Sequence, residues 1–160
     1  MPAEQRAKFL GNIRSEAARI HDALVGVKGA FEQETEGLRR VLAVRDRSPY
    51  ALPVVNVDIV INRATVFAGD WQALYDEMLA YRKACGEAHV KAILATGDLL
   101  TLENVAKASW VCMQAGADFI KTSTGKESVN ATLPVALIMA RAIRNYAEQT
   151  GFQVGFKPAG

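Results

Sequence analysis

From Val54 onward one pattern occurs three times and begins a fourth, and it limits the folds open to this chain more than any other feature. A short apolar run rich in β-branched residues is followed by a small polar loop, then by a segment whose apolar residues recur every three or four positions. The runs are Val54–Ile61, Val90–Ala95, Ala117–Lys121 and Gln153–Lys157. Between them, Asp70–Gly86 places Trp71, Leu74, Met78, Tyr81 and Cys85 on one helical face. Thr101 can cap a helix whose Leu102, Val105, Ser109 and Cys112 face inward, with Gly116 stopping it at C′. Pro134 suits the first turn of a helix that runs to Thr150 and ends at Gly151. Strands alternating with helices of this length predict βαβ units and a parallel sheet buried on both faces.

Residues 1–47 follow a different rhythm. They carry 16 charged residues, against 20 in the remaining 113. Phe9, Ile13, Ala17, Ile20, Leu24, Val27 and Phe31 step by three or four, the stripe of an amphipathic helix, with Gly26 and Gly29 interrupting it. Ser48-Pro49-Tyr50-Ala51-Leu52-Pro53 reads as a linker. The expected organisation is a helical, charged segment and linker over 1–53, then an α/β domain over 54–160.

Charge placement then points to chemistry. Each strand carries an ionisable residue inside or at the end of an apolar run, namely Asp58, Lys91, Lys121 and Lys157, and the third run also holds Asp118 near its start. Burying one charge per strand needs a reason. One acid among three lysines leaves an excess of cations, and a lysine crowded by another cation gives up its proton to become an amine nucleophile. After Lys121 the chain passes into Thr122-Ser123-Thr124-Gly125-Lys126, whose hydroxyls, backbone N–H groups and second cation suit a phosphate or a carbonyl substrate. Thr122, Ser123 and Thr124 read as loop formers, and Asn62 and Arg63 as strand-end capping and ion-pairing groups.

The segment Ala117-Asp118-Phe119-Ile120-Lys121-Thr122-Ser123-Thr124-Gly125-Lys126 resembles the Schiff-base signature of deoxyribose-phosphate aldolases. Val57-Asp58-Ile59-Val60-Ile61-Asn62-Arg63 and Gly155-Phe156-Lys157-Pro158-Ala159-Gly160 agree with that family in order and spacing. The likeness runs from about Val57 to Gly160, is greatest to the animal form, and leaves out the first fifty or so residues. It implies an α/β fold, a partial (β/α)8 TIM barrel of about four βα units preceded by the helical segment. A complete barrel takes about 250 residues, and this chain has 160. A half barrel would expose two sheet edges and one face, which the N-terminal helix or a second copy in a homo-oligomer could cover.

The resemblance also implies an activity. This is the reversible cleavage of 2-deoxy-D-ribose 5-phosphate to D-glyceraldehyde 3-phosphate and acetaldehyde, in the service of deoxyribose phosphate catabolism. Lys121 then forms the imine, Asp58 with a water moves protons, and Lys157 keeps Lys121 deprotonated and joins the relay. Lys91 helps to order the substrate, while Gly125, Lys126 and Gly160 contact its phosphate. No metal or other cofactor is implied, because the protonated imine is the electron sink. Relative to the family pattern the chain begins with a charged helix in place of the first strands and stops at Gly160. A fragment, a spliced product or a mis-joined gene model is therefore expected, and the alternative function is a truncated, non-catalytic product acting by association with other subunits.

Composition excludes competing classes. A formal charge of +2 argues against a nucleic-acid footprint. His21 and His89 lack ligand-spaced partners, so a metal site is not expected, and Cys85 and Cys112 read as buried free thiols. No apolar run reaches the length of a membrane span and no signal-peptide core is present, so a cytoplasmic enzyme acting on small molecules fits.

Overall fold

The structure, a computed structural model, describes residues 29–47 and 56–160. The chain divides into two compact units, residues 1–52 and 53–160. In the first, helix α1 (Ala30–Arg47) begins directly after Gly29, whose φ of +81° lies in the left-handed region. A helix thus starts at one of the two glycines expected to divide the stripe. The stripe from Phe9 to Val27, Gly26 and the proline-rich linker lie outside the described residues.

The second unit contains β1 (Asn56–Val60), α2 (Arg63–Phe67), α3 (Trp71–Cys85), β2 (His89–Ile93), α4 (Leu102–Gln114), β3 (Phe119–Lys121), α5 (Leu133–Thr150) and β4 (Gly155–Lys157). The strands form one parallel sheet in the order β1-β2-β3-β4. Strand order equal to chain order, with a helix in each crossover, is how a (β/α)8 barrel is laid down, and the four strands make a partial one.

Alternation along the strands separates two faces. Ile59, Val90, Ala92 and Ile120 are buried. They share one face and, with Leu74, Met78, Val105, Cys112 and Met139, all at most 1% exposed, form the core. Their alternates, among them Asp58, Lys91, Phe119, Lys121, Gly155 and Lys157, belong to the other face. In a closed barrel that face is the interior.

Local chemistry sets the helix ends. The Asp70 carboxylate accepts from Ala73 N–H at 3.0 Å and the Thr101 hydroxyl from Asn104 N–H at 3.1 Å. Pro134 occupies the first turn of α5, and Gly151 ends it at φ +77°. One expectation needs correction, and one element is additional. Leu102 is 44% exposed rather than inward, because it is the first residue after the Thr101 cap and lies beyond the packed stripe. The five-residue α2 was not foreseen. Its Asn62 cap accepts from Ala64 N–H at 3.0 Å, and the Asn62 N–H is in turn held by Glu77 at 3.2 Å. Cys85 and Cys112 are buried free thiols, as expected, and burial pushes both thiols up. No described helix is long and apolar enough to cross a membrane.

A polar clamp closes the N-terminal end of the sheet. Asp118, just before β3, accepts from Val90 N–H at 2.8 Å and Arg82 Nη1 at 2.8 Å, and lies 3.3 Å from His89 Nδ1. Arg82 also donates to the Ala88 carbonyl at 2.6 Å and to that of Gly86. Burial raises the Asp118 carboxyl, but the Val90 N–H, His89 and Arg82 outweigh it and hold it below the usual carboxylate range. A carboxyl lowered on folding stabilises the fold above its unfolded value, near 3.9. That contribution is lost as pH falls through the lower folded value. Asp118→Asn is therefore expected to lower the urea midpoint at neutral pH and to flatten its decline below about pH 4. Midpoints measured across that range for both proteins check this.

Candidate active site

Strand register assembles the charged face. Asp58 and Lys91 are direct partners across β1 and β2, and Lys121 and Lys157 are partners across β3 and β4. Lys91 also registers with Phe119, and Ile93 with Lys121. The first pair therefore lies one layer nearer the N-terminal strand ends than the second. Asp58 spans the gap, with Oδ2 2.9 Å from Lys121 Nζ and Oδ1 3.4 Å from Lys91 Nζ.

Burial within this set is graded. The Lys121 side chain is 14% exposed, Lys91 24% and Asp58 39%. Burial raises the Asp58 carboxyl, but the hydrogen bond from Lys121 and the charges of Lys121 and Lys91 win and leave it below its ordinary value. It is a carboxylate at neutral pH, able to take up and release a proton between two amines. The expectation of one buried charge per strand needs correction: Lys91 and Lys121 are half-buried, Asp58 is exposed although it is paired with both, and Lys157 is exposed. Lys157 ends β4, which among the described residues has a strand neighbour on one side only, so no described strand covers its far side.

Beneath Lys121 the face is aromatic. Phe119 lies over Gly155, so close that a Cβ built on Gly155 would sit 2.1 Å from Phe119 Cδ1. The His89 ring meets Phe119 edge-on at 6.2 Å, and Lys91 Nζ stands 5.8 Å from the Phe119 centroid. Phe119 and Gly155 each precede a site lysine by two residues. The period of a strand was thus the signal that placed them beside it.

At the C-terminal strand ends the loops are tied together. The Thr122 hydroxyl accepts from Ala159 N–H at 3.0 Å. The Ser123 hydroxyl lies 2.8 Å from Asn130 Oδ1 and 3.2 Å from the Ala159 carbonyl. Thr122 and Ser123 are thus buried loop formers, as expected. Gly125, at φ +90°, faces Ala159, where an added Cβ would lie 3.9 Å from the Ala159 Cβ. Gly160 adjoins Asn130, whose Cβ would be 2.9 Å from a Cβ at that position. The structure therefore brings Gly125 and Gly160 to one rim, while Lys126 stands exposed on it. Arg63 pairs with Asp98 across the β1 and β2 loops, so the capping and ion-pairing roles read for Asn62 and Arg63 hold. Asn130 and Glu127, which organise the rim, were missed. Loop hydrogen bonds leave no periodic trace in a sequence.

Comparison with known proteins agrees with this geometry. The family model described as DeoC/LacD family aldolase matches residues 50–160. Human deoxyribose-phosphate aldolase is 65% identical over 104 residues, covering 65% of this chain and 33% of that protein. A Caenorhabditis elegans relative is 50% identical over 154 residues, covering 96% of this chain and 48% of its own length. The chain thus spans about a third to a half of these relatives. The nematode match carries the likeness into the N-terminal segment that the three motifs left out. A solved apo structure from Toxoplasma gondii ME49 superposes with a TM-score of 0.66 at 19% identity, over 94% of this chain and 61% of that one, a likeness of fold. QR15, an aldolase, superposes with a TM-score of 0.63 at 25% identity, over 80% of this chain and 51% of that one.

Proposed function

Because the chain belongs to the DeoC/LacD aldolase family, we propose that it carries the imine-forming site of a deoxyribose-phosphate aldolase, acting on 2-deoxy-D-ribose 5-phosphate without a metal. The observation that carries this reading is the Asp58 carboxylate 2.9 Å from the amine of Lys121, on the face a barrel turns inward. In the synthetic direction the Lys121 nitrogen attacks the acetaldehyde carbonyl carbon. A C–N bond forms, and the oxygen takes a proton to give a carbinolamine. A second proton releases that oxygen as water and leaves the iminium. Loss of a methyl proton gives the enamine, whose carbon attacks the aldehyde of glyceraldehyde 3-phosphate. Hydrolysis frees the sugar phosphate and regenerates Lys121.

Asp58 is positioned to carry these protons, since each of its oxygens faces a different lysine. Lys91 orders the substrate and receives protons through Asp58. Lys157, the register partner of Lys121, supplies a second amine at the site mouth. Gly125, Lys126 and Gly160 contact the phosphate.

The test is covalent trapping. Acetaldehyde followed by borohydride should leave one ethyl group on the 160-residue chain, and peptide mapping should place it on Lys121. A folded chain that acquires no adduct defeats the reading for this polypeptide. A second reading, association without catalysis, has one observation in its favour: β1 and β4 are the outer strands of the sheet, with free edges among the described residues. An oligomer in light scattering together with absent trapping would favour it.

A further inference from the structure

The loop after Lys121, whose Gly125 and Lys126 the aldolase reading gives to the phosphate, also holds Glu127, to which that reading gives no role. Four successive backbone N–H groups are bonded to side chains of the loop itself. Thr124 N–H donates to Glu127 Oε1 at 3.1 Å and Gly125 N–H to Ser123 Oγ at 3.3 Å. Lys126 N–H donates to Thr124 Oγ1 at 3.3 Å, and Glu127 N–H to Asn130 Oδ1 at 3.3 Å. The Thr124 hydroxyl also lies 3.1 Å from Glu127 Oε1. The Gly125, Lys126 and Glu127 N–H groups go to separate neutral acceptors, but the two Thr124 donors converge on one point. Paired donors on a tight loop, with the Lys126 cation on the same turn, make an oxyanion seat.

One oxygen of an anion already occupies it. Glu127 Oε1 takes both Thr124 donors, whereas Glu127 Oε2 is buried with no hydrogen-bond partner among the described residues. A buried carboxylate oxygen without a donor is costly, so the glutamate satisfies the loop at its own expense. The seat is half made for Glu127 and would be better filled by an anion offering more oxygens from the solvent side.

We propose that Glu127 is a specificity-determining residue. Its carboxylate is the internal occupant of this seat and sets the affinity for a phosphate monoester by competing with it for the Thr124 donors. The inference rests on the aldolase reading only for the identity of the ligand, a phosphorylated sugar. An incoming phosphate must move the carboxylate aside or bind against its charge. Either way Glu127 weakens binding while keeping the empty loop in shape.

Glu127→Gln separates charge from shape, because the amide oxygen can still accept from Thr124. Inorganic phosphate titrated calorimetrically into the full chain should bind the variant at least about fivefold more tightly than the natural protein, the scale of removing one like charge near a surface site. Tightening of that order supports the proposal, including the case in which only the variant binds measurably. Equal binding, weaker binding or no binding to either protein overturns it and makes Glu127 a loop staple. If the variant lacks the thermal transition of the natural protein, the decision passes to the natural protein's amide spectrum. Phosphate should shift the Thr124 N–H as its carboxylate acceptor is displaced, and an unmoved Thr124 overturns the proposal. Acetaldehyde trapping reports on Lys121 alone, so the aldolase reading can fail while this inference stands, and the reverse.

Discussion

Lys121→Arg is expected to abolish acetaldehyde trapping, a loss on the order of a thousandfold or more, as befits removal of a nucleophile. Arginine keeps the positive charge and can still face the Asp58 carboxylate, now 2.9 Å from the lysine amine. Its guanidinium, however, does not form the imine. The fold should survive, because the ion pair is retained and the larger head group replaces a side chain already 14% exposed. Urea unfolding should therefore change by about 1 kcal/mol or less, within the range of tolerated exchanges. An adduct that persists in this variant would move the nucleophile to Lys91 or Lys157, and peptide mapping would say which.

Gly155→Val should be the most damaging single change to the sheet. Valine has the higher strand propensity, an effect of about 1 kcal/mol at most. Against that, the new Cβ would lie 2.1 and 2.2 Å from two Phe119 ring carbons and 3.0 Å from Cγ. The whole ring has to turn, not merely its tip. Overpacking of this kind costs about 1–3 kcal/mol, and here the ring also leaves His89 and Lys91. A net loss of about 2–3 kcal/mol is expected, read as a lower urea midpoint. The partner change Phe119→Ala should make the double variant less damaged than the sum of the two singles. An unchanged midpoint in Gly155→Val would mean that the ring swings aside freely and does not help to hold Lys91.

What the sequence disclosed follows from the range of the forces involved. Thr101, Gly116, Pro134 and Gly151 act through bonds within a few residues, and each punctuates its helix as read. Helix α2 is too short to show a period and depends on Glu77, fifteen residues away, so it was invisible. Asp58, Lys91 and Lys121 stood out as charges in apolar runs. Period two then placed them on one face. Which of them the acid would touch was not legible, because that depends on strand register. The outcome is that Asp58 bridges Lys121 to Lys91, while Lys157 stands exposed at the end of an outer strand.

The bridge made by Asp58 has a consequence for assembly of the sheet. A strand that slips by one residue turns its apolar side outward and is rejected by the core. A slip of two keeps every apolar residue on the correct side, and hydrophobic burial alone discriminates against it poorly. Here such a slip of β1 or β3 would carry a carboxylate or an ammonium about 6–7 Å along its strand, out of reach of its counter-ion. Asp58 is fastened to one lysine in its own layer and to another one layer up, so it works as a vernier. Only one alignment of β1, β2 and β3 closes both pairs. The groups proposed for the chemistry would thus also serve as an alignment key during folding, penalising the one error that the apolar pattern cannot see.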